Sequence, residues 1–120
     1  MMNETDLLLG ETFFYLTTTG WRSGKLHKIE IWYVTYCERY YLISENRLNA
    51  HWVQNIQRNS LVSFYVGQRK GTTPTESIPA IGRILSVEEE AELIAIINRL
   101  FDEKYGWNVG LIVEIVPATP

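Results

Sequence analysis

At 120 residues, 46% of them hydrophobic and including seven Tyr, four Trp and four Phe, the chain holds material for one domain with a real core. This is not the composition of a disordered segment. A formal net charge of −3 speaks against a general nucleic-acid binder, and the single cysteine, Cys37, excludes an internal disulfide. The first ten residues carry only Leu7-Leu8-Leu9 as an apolar run, without a basic lead or cleavage pattern, and no stretch is long enough to cross a bilayer. The expectation is a single domain over residues 1–120, in the cytoplasm.

Glu11 to Thr19 reads as a first strand, dense in aromatic and β-branched residues and apolar on both faces. That pattern suits a barrel interior or a contact between subunits. The following stretch, Thr17-Thr18-Thr19-Gly20-Trp21-Arg22-Ser23-Gly24-Lys25, is a loop with two glycines, hydroxyls from Thr18, Thr19 and Ser23 and, counting Lys28, three cationic side chains. Such loops can turn their backbone N–H groups toward a phosphate. A solvated polar hairpin turn is the plainer alternative.

His27 to Tyr36 is the second strand, with Ile29, Ile31 and Tyr33 on one face and Lys28, Glu30, Trp32 and Val34 on the other. Glu30 sits among large apolar residues and is read as solvent-facing, since a buried carboxylate would need a partner. Cys37-Glu38 turns the chain into a third strand, Arg39 to Ser44, although the turn lacks an Asn-Gly or Asp-Gly pair. After a loop, Asn49 is the expected N-cap of a short helix to about Arg58, with Trp52, Val53 and Ile56 inward.

Leu61 to Val66 is the fourth strand, with Val62, Phe64 and Val66 inward, and Gly67 to Ser77 is a polar, mobile loop. Ile78 to Leu85 is the fifth, where Pro79 suggests an edge and Gly82 a bulge or a close backbone approach. Ser86-Val87-Glu88-Glu89 matches a capping box, opening a helix to about Lys104 whose apolar stripe (Leu93, Ile94, Ile96, Ile97, Leu100, Phe101) covers a core. Leu111 to Val116 is the sixth strand, ended by Pro117. Six strands and two helices without regular alternation argue for a mainly β, α+β domain built on an antiparallel barrel.

The inventory does not support hydrolysis or a metal centre. No nucleophile elbow is present, and His27, His51 and Cys37 lack ligand spacing. What remains is a binding site: the basic loop for phosphate, Ser44, Glu45 and Asn46 with Ala50, His51 and Trp52 as a second wall, and Trp52 and the Tyr105/Trp107 pair to cover a flat ring. Trp52 reads equally well as a core anchor. A site with few acid–base groups suggests a cofactor that carries the chemistry.

Four separated blocks make the chain resemble a known family. They are Tyr15-Leu16-Thr17-Thr18-Thr19-Gly20 with Ser23-Gly24-Lys25; His27 to Val34; Ala50-His51-Trp52-Val53-Gln54-Asn55; and Glu103-Lys104-Tyr105-Gly106-Trp107. Together they resemble the nitroreductase-family deazaflavin-dependent oxidoreductases. The resemblance implies a six-stranded split β-barrel of the FMN-binding type, related to pyridoxamine-phosphate oxidases. It also implies coenzyme F-420 or FMN as cofactor, and hydride transfer to a quinone, a nitroaromatic or an activated double bond.

Carried onto this sequence, the resemblance puts Thr18, Thr19, Gly20, Arg22, Ser23, Gly24 and Lys25 at the phosphate-bearing part of the cofactor. Lys28, Ile29 and Glu30 would line the ring edge, with Ser44, Glu45 and Asn46 opposite. His51, Trp52 and Asn55 would close the pocket from the helix. Tyr105 and Trp107 would lie on the substrate side, with the product protonated by water or by Tyr105. A homodimer is the expected assembly; no metal, nucleic acid or membrane insertion is expected. The alternative is a non-catalytic split barrel binding FMN or a tetrapyrrole. Two departures stand out: Trp21 follows the first loop glycine where the family usually has Arg, and Glu45-Asn46-Arg47-Leu48-Asn49 replaces a common glycine pair.

Overall fold

The computed structural model describes residues 12–67 and 77–118. The N-terminal segment and most of the loop expected between Gly67 and Ser77 lie outside the described residues. In chain order the strands are β1 Phe13–Thr19, β2 Leu26–Ile31, β3 Val34–Tyr36, β4 Arg39–Ser44, β5 Leu61–Gly67, β6 Ile78–Ile84 and β7 Leu111–Pro117. Helix α1 is His51–Arg58, preceded by a 3₁₀ turn at Arg47–Asn49, and α2 is Ala91–Tyr105.

All pairings are antiparallel, in the order β2-β1-β5-β6-β7-β4-β3. The two outermost strands of this sheet are neighbours in sequence, separated only by Trp32 and Tyr33. The sheet therefore curls until its ends meet in one bent segment. Its first half pairs with β1 as far as Phe14↔Ile31, and its second half with β4 from Val34↔Tyr41.

This bend is why seven strands stand where six were expected. At the bend the Tyr33 peptide leaves both ladders and is held by α2 instead. Its N–H donates to the Tyr105 hydroxyl (3.2 Å), and its carbonyl accepts from that hydroxyl (3.0 Å) and from Lys104 Nζ (2.9 Å). Both backbone groups are satisfied, as a break in a sheet requires.

The barrel interior is filled by Phe14, Leu16, Leu42, Phe64, Val113 and Ile115, with the Phe14 and Phe64 rings stacked at 4.8 Å. Val53 and Ile56 bring α1 against it, and Gly82 makes room, since a Cβ there would lie 3.2 Å from Ile56. The close approach expected at Gly82 is therefore present. Ile97 and Phe101 of α2 pack on Tyr41, Ile43 and Ile112 on the outside of the sheet. The two apolar faces of β1 are both used within the chain: Phe14 and Leu16 point inward, while Tyr15 stacks on Tyr65 at 4.8 Å.

Several local expectations are corrected. Residues 49 and 50 do not open the helix as expected: Asn49 ends the 3₁₀ turn, Ala50 takes the N-cap position, and Ser44 Oγ, donating to the Arg47 carbonyl at 2.9 Å, fixes that turn. The Ser86–Glu89 pattern closes a turn, and α2 starts only at Ala91. The reason is Arg83, which forks onto both carboxylate oxygens of Glu90 at 2.6 and 2.8 Å and ties that residue to β6. Strand β6 is interior, not an edge; Pro79 sits one residue ahead of its ladder with β7 and contributes only its carbonyl, to the Ala118 N–H at 2.9 Å. The hairpin at Cys37-Glu38 does take the left-handed form that Asn-Gly would favour, at φ 50° and 64°.

Candidate functional site

Because β2 pairs with β1 and β3 pairs with β4, no described strand bridges β2 to β4, and a split opens between them. One lip is Lys28 to Trp32; the other is Ile43 to Asn46, which run into the turn before α1. Two cavities of about 600 and 750 Å³ occupy this split, and Asn46, Ala50 and Trp52 line both. They form one cleft, of the size usual for small-molecule sites.

The two ends of the cleft differ in charge. The larger cavity is lined by Arg22, His27, Lys28 and His51, together with Gly20, Trp21, Ser23, Ile29 and Asn55. The smaller is lined by Trp32, Trp52, Trp107 and Phe13 and by the carboxylate residues Glu30 and Glu45, with no Lys, Arg or His lining it among the described residues.

The basic loop is rigidly built. Gly20 N–H donates to the Lys25 carbonyl (2.7 Å), Gly24 N–H to the Gly20 carbonyl (2.8 Å) and Lys25 N–H to Ser23 Oγ (3.1 Å). Trp21 N–H donates to Asn55 Oδ1 (3.1 Å). These four N–H groups are committed to the protein, which corrects the expectation of a loop offering its backbone generally. Among the described residues, the N–H groups of Arg22 and Ser23 remain for a ligand. Asn55 is buried and also donates from Nδ2 to Thr18 Oγ1 at 2.9 Å, so both ends of its amide fasten the loop to α1. The guanidinium groups of Arg22 and Arg58 lie 4.5 and 4.9 Å from the centre of the Trp21 ring.

Most residues singled out from the sequence come together here: Gly20, Arg22, Ser23, Lys28, Ile29, His51 and Asn55 at one end, Glu30, Ser44, Glu45 and Trp107 at the other, and Asn46 and Trp52 between. Thr18, Thr19, Gly24, Lys25 and Tyr105 are not on the cleft wall. Trp52 serves both readings, since it packs on the barrel core and lines both cavities. Glu30 is exposed, as expected, and accepts from the Tyr15 hydroxyl at 2.8 Å. Lys28 Nζ donates to the Tyr65 hydroxyl at 3.2 Å.

The sequence reading missed Trp32. Its ring stacks on Tyr105 at 4.4 Å and 1°, with Trp107 edge-on at 6.2 Å. Strand alternation places Trp32 on the same face as Lys28 and Glu30, and that signal could have found it. Arg58 was also missed, and no pattern in the sequence marks it.

The fold is thus a split barrel whose split holds a cleft, cationic at one end and aromatic at the other. The family model described as F420H(2)-dependent quinone reductase matches residues 3–105, and the chain belongs to that family. The family is one of deazaflavin-dependent oxidoreductases, so the cofactor class is F-420 or a related flavin.

Solved structures of the same fold include HutZ, the haem storage protein of Vibrio cholerae (13% identity, 97% of this chain and 88% of that one, TM-score 0.72). A pyridoxamine 5'-phosphate oxidase-like protein from Listeria innocua matches at 13% identity over 96% of this chain and 90% of that one, TM-score 0.66. An F420 reductase matches at 14% identity over 99% of this chain and 97% of that one, TM-score 0.58. No curated protein matches the chain.

The residues present fit a cofactor of this class. An edge of β2 that pairs with no described strand faces the split, tryptophans line one end of the cleft, and Arg22 and Lys28, which could hold a phosphate-bearing tail, line the other.

Proposed function

We propose that this protein is a cytoplasmic, single-domain reductase that uses reduced F-420, or FMN, to deliver hydride to a quinone, with nitroaromatics and activated double bonds as further acceptors. The observation that carries the reading is the division of one cleft into a cationic end and a tryptophan-walled end, with Asn46, Ala50 and Trp52 shared between them. When bound, the cofactor ring supplies the hydride. The chain's part is to hold and exclude. Arg22, Lys28 and the Arg22 and Ser23 N–H groups bind phosphate, the β2 edge from Lys28 to Glu30 meets the ring edge, and Trp52 closes the cleft from α1. Holding donor and acceptor in contact can account for about 7–11 kcal/mol of a barrier when geometry is ideal.

In this reading Tyr105 supports Trp32 and is not the acid, because its hydroxyl is held by the Tyr33 peptide; the product is protonated from water. Trp21 substitutes for the family's arginine by gathering Arg22 and Arg58 around one ring. We take the protein to act as a homodimer, which sedimentation tests directly.

The test is a titration of cofactor-free protein with F-420 and with FMN, followed by turnover with menadione. Binding of F-420 and loss of affinity in Arg22→Ala and Lys28→Ala support the assignment; binding of neither cofactor removes it. A storage role remains the second reading because His27 and His51 both line the larger cavity, and their imidazoles would be the groups to hold a tetrapyrrole iron. Stoichiometric haem uptake without reductase turnover would favour it.

A further inference from the structure

We propose that the cationic end of the molecule docks on an anionic lipid bilayer, with three exposed apolar side chains, each beside a cation, entering the headgroup layer. The inference concerns the surface around the mouth of the larger cavity and does not depend on the reductase reading. Docking of this kind is peripheral; among the described residues no helix is long and apolar enough to cross a membrane.

Two observations carry it. The first is the distribution of charge. Residues 12–29 and 46–67 hold Arg22, Lys25, Lys28, Arg47 and Arg58 and no Asp or Glu, although the whole chain has a net charge of −3. Folding brings the two stretches together at one end of the barrel. The Trp21 N–H donates to Asn55 Oδ1, and the Arg58 guanidinium lies 4.9 Å from the centre of the Trp21 ring. Arg22 and Lys28 line the larger cavity; Lys25, Arg47 and Arg58 do not, and all three are exposed.

The second observation is what stands beside those three cations. Leu26 follows Lys25 and is 73% exposed, Leu48 follows Arg47 and is 51% exposed, and Trp21, against whose ring Arg58 lies, is 39% exposed. The Leu48 carbonyl accepts from Gln54 Nε2 at 3.0 Å, and Gln54 lines the same cavity as Trp21, so the turn and the basic loop flank one mouth. Helix α1, eight residues and hence about 12 Å long, sets the distance between the Arg47-Leu48 turn and Arg58.

A bilayer interface takes such doublets: the cation meets a lipid phosphate, and the apolar side chain beside it enters the boundary between headgroups and acyl chains. A nucleic acid would use the cations and leave both leucines in water. Each cation near an anionic surface is worth roughly fivefold in partition. The fourteen carboxylates elsewhere in the chain oppose this, so the expected preference over a neutral bilayer is about tenfold at low salt.

The test is co-sedimentation of the full chain with vesicles of phosphatidylcholine alone and with phosphatidylglycerol added. Partition into the anionic vesicles is expected to be about tenfold stronger at low salt and to fall toward the neutral value at high salt. Lys25→Glu/Leu26→Asp, at an exposed pair away from the cleft wall, and Leu48→Asp are each expected to weaken it severalfold with the thermal melt unchanged. Brominated acyl chains should quench the tryptophan emission of the bound protein, and quench it less in Trp21→Phe.

Equal partition into the two vesicle types, partition into neither, unchanged partition in either variant or an absence of quenching overturns the proposal. Binding of a single-stranded oligonucleotide without binding of anionic vesicles overturns it in favour of a nucleic-acid partner.

Discussion

Asn55 Nδ2 donates to Thr18 Oγ1 at 2.9 Å, and through that bond the first strand and the first helix share one buried polar contact beneath the cationic end of the cleft. The other end of the same amide takes the Trp21 N–H. Asn55→Ala leaves a buried hydroxyl and a loop N–H without partners, at a cost of about 2 kcal/mol in urea unfolding. It is also expected to weaken cofactor binding, because the loop from Gly20 to Lys25 loses its tether to α1. Calorimetric titration of Asn55→Ala against wild type checks this; full affinity in the variant would show that the loop holds its shape alone.

The Cys37-Glu38 hairpin places two ordinary residues at φ 50° and 64°. Left-handed backbone costs such residues roughly 1 kcal/mol each. Replacing them together by Asn and Gly, the pair favoured in this turn, is expected to raise stability by about 1 kcal/mol after the extra chain entropy of glycine is counted. A thermal melt should rise by a few degrees with the cleft unaffected.

Two glycines separate in their tolerance of a methyl group. At Gly110, φ is 144° and a Cβ would run into the Ser44 carbonyl, which is backbone on the lip of the cleft. At Gly82 the nearest atoms are the ends of the Ile56 side chain at 3.2 Å, which can shift. Gly110→Ala is expected to cost about 3 kcal/mol or more, and Gly82→Ala about 1 kcal/mol, in chemical denaturation.

Acid sensitivity has a defined source at the start of α2. The hydrogen bonds from Arg83 hold the Glu90 carboxyl below its ordinary value of 4.5. A depressed folded value means that the contribution is complete above about pH 4.5, the unfolded value, and is lost as pH falls through the folded one. Wild-type melting temperature should therefore drop more steeply below that pH than that of Glu90→Gln, which starts lower at pH 7. Parallel slopes would show that the fork adds nothing to stability.

Nearby, Glu114 sits fully inside the sheet face, accepting from the Tyr41 hydroxyl at 2.9 Å and paired with Arg83 and Arg39 at 3.1 and 3.4 Å. Burial, then the bond to this carboxylate, pushes the Tyr41 hydroxyl well above the ordinary tyrosine range.

The strands were legible because alternation of large apolar residues fixes them locally, as at Phe14/Leu16 and Val62/Phe64. The basic loop and the Trp52 wall were legible because glycine, cation and aromatic residues mark such places at short range. Glu114 was not, since its partners lie 31, 73 and 75 positions away in the chain and no local pattern announces them. The bend at Trp32 and Tyr33 was hidden for a related reason: the sequence keeps alternating through it, and Tyr105 and Lys104, contributed by a distant helix, take the peptide out of the ladder. The start of α2 was misplaced because Glu90 is forked by Arg83 of β6, seven positions back, besides accepting from the Ser86 N–H at 3.5 Å.

The split also leaves a margin of β-strand, since among the described residues β2 has no strand neighbour on the side facing the cleft. Margins of that kind invite a strand from another molecule, and charged residues such as Lys28 and Glu30 are a usual deterrent. A ligand seated along β2 occupies that margin as well. Ligand loading is therefore expected to protect the protein against edge-to-edge association as well.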